Sequence, residues 1–332
     1  MKVGYLGAGC WGFCLATVLA SKGHEIVSWT TKQDLADHLN KFHEHPYFPG
    51  FKAPSNIRFT TSLEDALENI DLLVESVTSA GIRPVFEKVK ALRIPHCPIV
   101  LTSKGIEQNS GKILTEVVIE ILGSSILPKV GFLSGPGYAQ EVIKGLPTSV
   151  VGTAYEFNVM MMVCDTFTTD TFRVYPNMDI QGVAFGGALK NIIAIACGIS
   201  DGLELGNSSK AALMTRGLHE IRKLAVARGC RAETLNGLSG MGDICLTCSS
   251  IMSRNFRFGY LIAQGTPLPD AYRQIQTVVE GAYTVVSALQ LSKELQVPMP
   301  ISDTVYKILY ESMKPIEAVQ MLMKRTIKEE HL

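Results

Sequence analysis

The chain carries no excess of either charge, because its 31 lysine and arginine residues balance its 31 aspartate and glutamate residues. A chain without a basic excess has little with which to neutralise the phosphates of a nucleic acid. Nucleic acid is therefore not an expected partner. A small anionic ligand needs only a local cluster of cations, so the charge balance leaves such a ligand open.

A disulfide or zinc framework is also missing, since the eight cysteines stand at irregular spacings, mostly in apolar segments. In a chain of 332 residues, this pattern is typical of free thiols in a cytosolic protein. Cys245 and Cys248 form a CxxC pair, but no second pair or nearby histidine completes a zinc site. We expect no metal.

Residues 3–21 contain no charged side chain, a pattern shared by signal peptides and membrane spans. Four glycines lie in the first half of this segment, and no evident basic region precedes it. A strand, a glycine turn and a helix explain the segment better. We therefore expect a soluble, cytoplasmic protein without stable membrane association.

Proline is absent from residues 177–266, although the chain contains 15 prolines. This proline-free stretch carries long helical patterns, whereas the first half alternates short apolar runs with amphipathic stretches. Such alternation predicts a parallel-rich sheet with helices on both faces. The predicted strands are 2–6, 25–29, 57–60, 71–75, 98–101, 130–133 and 148–151. The predicted helices include 11–21, 34–43, 83–92, 211–228, 282–295 and 304–312.

A glycine-rich loop follows the first predicted strand and precedes the first predicted helix. It fits GxGxxG, with Gly7, Gly9 and Gly12 as its glycines. In that context the first glycine makes a tight turn, the second admits a pyrophosphate and the third allows close helix packing. The loop therefore predicts dinucleotide binding.

The end of the second strand bears on the coenzyme's 2′ position. An acid there favours a ribose hydroxyl, whereas a basic group accommodates a 2′-phosphate. Lys32 follows this strand, and the nearest acid, Asp34, already enters a helix. This arrangement favours NADP, or tolerance of both coenzymes, with a merely solvated Lys32 as the alternative.

Two domains are expected at this length. We predict a Rossmann-like α/β domain over residues 1–188 that binds the dinucleotide. An all-α domain over residues 189–332 would carry substrate and catalytic groups.

Lys190 lies close to this boundary and is the only charged residue between Asp179 and Asp201. A buried ammonium needs a partner or a shifted pKa, and a lysine with a lowered pKa can transfer protons. The alternative is a lysine that extends its ammonium out of a buried helix.

Several polar or glycine-rich segments stand in a specific order along the chain. They are 103–107, 133–141, 186–191, 240–243 and 253–259. From the glycine loop to about Gly281, their order and spacing resemble NAD(P)-dependent glycerol-3-phosphate dehydrogenase of the bacterial type. The resemblance implies reversible reduction of dihydroxyacetone phosphate to sn-glycerol 3-phosphate, which supplies phospholipid synthesis.

The resemblance also implies roles for individual residues. Lys190 would be the general acid/base, with the carboxylate of Asp243 beside it and Lys104 contacting both substrate and coenzyme. The residues implied in substrate binding are Lys104, Gly135, Gly137, Lys190, Asp243, Ser253, Arg254 and Asn255, of which Ser253, Arg254 and Asn255 would hold the phosphate. The residues implied in coenzyme binding are Gly7, Gly9, Cys10, Trp11, Gly12, Lys32, Lys104, Ala139, Arg254, Val278 and Glu280.

Three positions depart from the family pattern. Cys10 and Gly137 stand where hydroxyl residues are usual, and Thr31 stands where a basic residue is common. These departures weaken the implied polar contacts at those positions and the coenzyme preference.

Two other functions agree less well with the sequence. In β-hydroxyacid and 6-phosphogluconate-type dehydrogenases an asparagine follows the catalytic lysine by four positions, but here that position is Ala194 and the asparagine is Asn191. A regulator that binds NAD(P)H without turnover would not need Lys104, Lys190, Asp243 and Arg254 in matching order. A homodimer is the expected assembly, since two-fold pairs are the commonest.

Overall fold

The computed structural model describes residues 1–327 and 329–330. Within them, the strands are β1 Lys2–Leu6, β2 Glu25–Trp29, β3 Ile57–Thr60, β4 Leu72–Glu75, β5 Ile99–Leu101, β6 Val130–Ser134, β7 Thr148–Ala154 and β8 Phe172–Asn177. The α-helices are α1 Cys10–Ser21, α2 Gln33–Phe42, α3 Leu63–Leu67, α4 Ile82–Leu92, α5 Leu114–Leu122, α6 Ala139–Val142, α7 Phe157–Phe167, α8 Ile180–Gly202, α9 Gly206–Ala227, α10 Asp243–Cys248, α11 Arg254–Ala263, α12 Leu268–Ile275, α13 Glu280–Glu294, α14 Pro300–Tyr310 and α15 Pro315–Met323.

The eight strands form one sheet in the order β3-β2-β1-β4-β5-β6-β7-β8. Every neighbouring pair is parallel except β6 and β7, which run antiparallel. The predicted fold class is therefore confirmed. Strand β8 was not predicted; it contains Pro176 and lies at the edge of the sheet, where a strand tolerates proline.

The strand order changes direction between β1 and β4. From β1 the chain extends the sheet to β2 and β3 on one side, and then to β4 and the later strands on the other. Leu6, the last residue of β1, stands opposite Glu75, the last residue of β4. In open α/β sheets, ligands bind outside the carboxyl ends of the strands at such a switch point.

The chain divides into two compact units, neither of which is continuous in sequence. Unit 1 comprises Met1–Glu107, Lys112–Gly187 and Cys230–Asp243. Unit 2 comprises Gln108–Gly111, Ala188–Gly229 and the described residues from Ile244 onward. The predicted assignment of functions to residues 1–188 and 189–332 stays a prediction, whereas the compact units also place Cys230–Asp243 with the sheet.

Within unit 1, the side chain of Asp179 attaches the segment Cys230–Asp243 to the start of α8. One carboxylate oxygen accepts a hydrogen bond from the N–H of Gly182 at the start of α8 (2.9 Å), and the other accepts one from the N–H of Arg231 (2.9 Å). A single side chain thus joins the start of α8 to the returning segment.

Helix α8 is long and apolar enough to span a membrane by length and composition, and it is the one such helix among residues 1–327 and 329–330. Its most apolar 18-residue window is entirely buried inside the protein, as in the core helix of a globular protein. Within unit 2 it packs closely on α11: a Cβ on Gly198 would lie 1.9 Å from the carbonyl oxygen of Phe256, and one on Gly259 would lie 2.1 Å from that of Ile195. The two helix backbones therefore touch directly.

Glu220 on α9 holds the start of α14 within unit 2. Its carboxylate accepts hydrogen bonds from the N–H groups of Ile301 (2.6 Å) and Ser302 (3.2 Å) and from the Ser302 hydroxyl (3.3 Å). Burial raises the pKa of Glu220 to about 7, although these hydrogen bonds lower it in part. The side chain thereby satisfies backbone donors that the start of a helix leaves unpaired.

None of the eight cysteines forms a disulfide, as predicted. Five are buried, and Cys245 is exposed. Among residues 1–327 and 329–330, no group of three or more histidine, cysteine, aspartate or glutamate side chains is arranged to hold a metal ion.

Candidate active site

The glycine loop connects β1 to α1 in unit 1. Gly7 has φ of +110°, and a Cβ there would lie 2.5 Å from the carbonyl oxygen of Ser76. A Cβ on Gly12 would lie 2.1 Å from the carbonyl oxygen of Gly7, whereas one on Gly9 would meet nothing within 4 Å. Gly7 and Gly12 therefore make the turn and the close packing possible, and Gly9 leaves the outer face of the loop open to a ligand.

The start of α1 suits an anionic ligand. The helix begins at Cys10, directly after Gly9, and has no acidic residue in its first turn. Its unpaired N–H groups and the positive end of its dipole can thus receive a pyrophosphate. Cys10 and Trp11 are half-buried, and a Cβ on Gly137 would approach the Trp11 ring at 3.4 Å. The residues present fit a dinucleotide.

Lys32 is exposed and lies directly before α2, three residues after the end of β2. A cavity of about 500 Å³ opens beside it and is lined also by Gln33, Asp34, Leu35, His38 and Pro46. The predicted contact of Lys32 with a 2′-phosphate stays a prediction.

Lys104 and Asp243 form a buried ion pair in unit 1. The Lys104 Nζ donates hydrogen bonds to Asp243 Oδ2 (2.6 Å) and to the carbonyl oxygen of Gly135 (2.9 Å). The Asp243 side chain is fully buried, and that of Lys104 is 18% exposed. An ammonium has three donor hydrogens. Two of them are used in these hydrogen bonds, and the third can be donated to a ligand. Sequence reasoning did not foresee this pair; the expected contact of Asp243 with Lys190 stays a prediction.

Two glycines shape the surroundings of Lys104. Gly135 has φ of +143°, and a Cβ there would lie 2.8 Å from the Cα of Val150. A Cβ on Gly187 would lie 2.6 Å from the Ser134 hydroxyl and 3.3 Å from the Lys104 side chain. Side chains at these two positions would displace Lys104. Ala139, a predicted coenzyme contact, is half-buried at the start of α6.

Lys190 lies on α8 in unit 2 and is 8% exposed. Two turns further along the helix, the Cys197 thiol shares a hydrogen bond with that of Cys248. This bond and burial raise the pKa of Cys248, and the charge of Lys190 lowers it. The Lys190 ammonium therefore lies close enough to this thiol pair for its charge to influence the pKa of Cys248.

Asn191 and Asn255 connect three helices of unit 2. The amide of Asn255 donates a hydrogen bond to Asn191 Oδ1 (3.0 Å) and accepts one from the N–H of Gly281 (2.9 Å). Asn255 was expected to hold the substrate phosphate, whereas no role was expected for Asn191. The position of Asn191 directly after Lys190 was the one signal in the sequence that pointed to a role for it.

The other residues predicted to bind phosphate surround the start of α11. Ser253 precedes the helix, and its hydroxyl oxygen accepts a hydrogen bond from the N–H of Phe256 (3.3 Å). Arg254 is the first helical residue and is exposed. Glu280, half-buried, begins α13, and Val278 lies exposed just before it.

A glycine loop of this geometry at the switch point of a mostly parallel sheet defines a dinucleotide-binding protein of the Rossmann class. Residues 2–159 match the family model described as the N-terminus of NAD-dependent glycerol-3-phosphate dehydrogenase, and residues 179–320 match the model of its C-terminus. The chain belongs to the NAD-dependent glycerol-3-phosphate dehydrogenase family.

Similar proteins agree with this assignment. The chain is 66% identical to a glycerol-3-phosphate dehydrogenase (NAD(P)+) of Protochlamydia amoebophila over 331 residues, which cover 100% of this chain and 99% of that protein. It is 51% identical to the Chlamydia pneumoniae enzyme of the same name, over 99% of each chain. A solved glycerol-3-phosphate dehydrogenase from Coxiella burnetii is 35% identical, covers 98% of this chain and 99% of its own, and has a TM-score of 0.92. The predicted family, enzyme class and use of NAD or NADP are confirmed.

Proposed function

We propose that the chain reversibly reduces dihydroxyacetone phosphate to sn-glycerol 3-phosphate with NAD(P)H, and that Lys190 is the general acid/base. When bound, the reduced nicotinamide supplies the hydride that reaches the ketone carbon. Lys190 gives a proton to the ketone oxygen, and in the reverse direction it takes the proton of the hydroxyl. The observation that carries this role is the burial of Lys190 on α8, because water is excluded there and a positioned proton donor acts effectively.

Lys104 serves as a binding and orienting group in this proposal. Its ammonium is fixed by Asp243 Oδ2 and the Gly135 carbonyl, at 2.6 and 2.9 Å. The remaining hydrogen can be donated to an oxygen of the substrate or coenzyme. A buried carboxylate beside it offsets its charge, so that the lysine stays in place before the ligand binds.

The substrate phosphate is held by Arg254, with help from Ser253 and Asn255. The Arg254 guanidinium stands at the start of the ten-residue helix α11, where unpaired N–H groups also favour an anion. Within residues 1–327 and 329–330, no carboxylate forms an ion pair with Arg254. The amide of Asn255 is bonded to Asn191 and Gly281, which supports a role in fixing the helix start together with any contact to phosphate.

NADP is the preferred coenzyme in this proposal. Lys32 is exposed beside the cavity at the end of β2, and His38 adds a second basic side chain to its lining. The product supplies phospholipid synthesis in the cytoplasm, and the enzyme acts as a homodimer; these statements follow the family resemblance and the prevalence of two-fold assemblies.

A rate assay with dihydroxyacetone phosphate tests the function, run with NADH and NADPH in parallel. In Lys190→Ala the turnover should fall by about 10²–10⁴-fold, the usual contribution of a general acid/base. Binding of NADPH, followed by its fluorescence, should be retained. Lys307→Ala removes a half-buried lysine of the same unit that pairs with Asp303, and it should keep its activity. Near-normal turnover in Lys190→Ala would refute the role of Lys190.

A further inference from the structure

Glu75 is a buried carboxyl at the place where the coenzyme is expected. It ends β4 and stands opposite Leu6, the residue that precedes Gly7 of the glycine loop. The residues that follow it touch the loop, because the carbonyl oxygen of Ser76 and the N–H of Val77 lie against Gly7. A titratable group therefore lies at the switch point of the sheet, beneath the loop that receives the pyrophosphate.

Only one oxygen of this carboxyl has partners. Glu75 Oε1 accepts hydrogen bonds from the Ser103 hydroxyl (2.7 Å) and from the N–H of Val77. Glu75 Oε2 is buried without a hydrogen-bond partner in the described part of the chain. A buried oxygen left in this way is poorly suited to carry charge. Burial accordingly raises the pKa of Glu75 to about 7, although hydrogen bonds from the Ser103 hydroxyl and from the backbone of Val77, Ser103 and Thr102 lower it in part.

The surrounding titratable groups do not neutralise Glu75. Tyr5 on β1, whose hydroxyl is bonded to that of Ser76, has its pKa raised by burial, and burial also raises the pKa of Cys14 on α1 to about 12. Both are neutral at pH 7. His45 contacts the backbone of Ala8 in the loop, and burial lowers its pKa. Lys104, the residue after Ser103, is bound to Asp243.

We propose that Glu75 is in its protonated form when the coenzyme is bound, so that the coenzyme and a proton bind together. The coenzyme pyrophosphate carries two negative charges, and an ionised Glu75 beneath the loop would repel them in a region of low dielectric constant. By linkage, the coenzyme in turn favours the protonated carboxyl. The proposal rests on the coenzyme-binding part of the proposed function and needs no statement about dihydroxyacetone phosphate.

Affinity for NADH as a function of pH tests this proposal, because NADH itself has no group that titrates between pH 6 and 8.5. In the unmodified chain the dissociation constant should rise on the order of tenfold from pH 6 to pH 8.5. Glu75→Gln, which keeps the shape of a protonated glutamate, should bind NADH at pH 8.5 about as tightly as the unmodified chain does at pH 6. Glu220→Gln alters a buried glutamate of unit 2 and should keep the unmodified profile.

Calorimetry of the unmodified chain gives a second readout that does not depend on any variant folding. NADH binding at pH 7.5, measured in two buffers of different ionisation enthalpy, should take up a substantial fraction of one proton. No uptake, or a Glu75→Gln profile that still follows that of the unmodified chain, would overturn the proposal.

A variant of His45 distinguishes the two groups that could take up the proton. If the pH profile of NADH affinity above pH 7 is unchanged in this variant, the proton is assigned to Glu75. If the profile becomes flat, the proton is assigned to His45, which would overturn the proposal. Failure of the proposed reaction would appear separately, as NADH binding without turnover of dihydroxyacetone phosphate.

Discussion

Each compact unit contains a buried glutamate whose pKa is raised to about 7 by burial, but the two carboxyls have different surroundings. Glu220 in unit 2 uses both oxygens to receive the N–H groups at the start of α14. Glu75 in unit 1 uses one oxygen and leaves the other without a partner, beside the glycine loop. The same shift in pKa thus accompanies a structural anchor in one unit and a ligand-linked group in the other. Hydrogen-bond partners distinguish the two roles, whereas the pKa does not.

The largest expected effect is the loss of stability when Glu220, the anchoring glutamate, is replaced by alanine. Glu220→Ala leaves the N–H groups of Ile301 and Ser302 without an acceptor, and each buried donor of this kind costs about 1–3 kcal/mol. The free energy of unfolding, measured by urea denaturation at pH 5, should fall by about 3 kcal/mol. Glu294→Ala removes an exposed carboxylate of the same unit and should change it by less than about 0.5 kcal/mol. Equal losses in the two variants would contradict the role of Glu220 as an anchor.

A second difference concerns how stability depends on pH. Each carboxyl titrates at about 7 in the folded chain, against an ordinary value of 4.5. Between these values the folded chain keeps protons that the unfolded chain has lost, so the free energy of unfolding falls as pH rises from 4.5 through 7. Each glutamate should contribute on the order of 3 kcal/mol to this fall. In urea titrations at pH 5 and 7.5, Glu75→Gln and Glu220→Gln should each show a smaller fall.

Saturating NADH separates the two contributions in the same experiment. It should enlarge the fall that remains in Glu220→Gln, because that fall arises from Glu75 and NADH binds more weakly once Glu75 has lost its proton. It should leave the fall in Glu75→Gln unchanged. The same response to NADH in both variants would remove the distinction between the two glutamates.

The smallest expected effect comes from one hydroxyl beside each carboxyl. The hydrogen bond from Ser103 lowers the pKa of Glu75, and that from Ser302 lowers the pKa of Glu220. Ser103→Ala should therefore move the pH profile of NADH affinity upward by about 0.5–1 unit, the equivalent of one hydrogen bond. Ser302→Ala should move only the pH profile of stability. An NADH profile that shifts in Ser302→Ala instead would contradict this assignment.

The sequence was sufficient to predict elements whose signals are local. Strands β1, β2 and β3 have the predicted bounds, because apolar runs with turn residues on either side mark them clearly. Strand β8 escaped prediction because Pro176 obscured it. The glycine loop was predicted together with the use of each glycine, since its conformation depends on neighbours a few residues away.

Contacts between distant parts of the chain could not be predicted in the same way. Lys104 and Asp243 were both selected from the sequence, but their ion pair joins residues 139 positions apart, and only the fold brings them together. The family resemblance implied that Asn255 binds phosphate, and this stays a prediction, whereas its hydrogen bonds to Asn191 and Gly281 arise only from the fold. Glu75 was included in a predicted strand without any function, although an acid that ends an apolar strand was visible as an exception.

The return of Cys230–Asp243 to unit 1 has a consequence for synthesis of the chain on the ribosome. The strands and glycine loop have all been made once residue 188 has been added, but the carboxylate that receives the Lys104 ammonium comes only with Asp243. At ordinary rates of translation this interval lasts several seconds. During that time the nascent sheet carries an ammonium whose buried partner does not yet exist. Truncation near residue 188 would make this incomplete state permanent, so the coenzyme-binding unit cannot be isolated intact by cutting the gene at a single point.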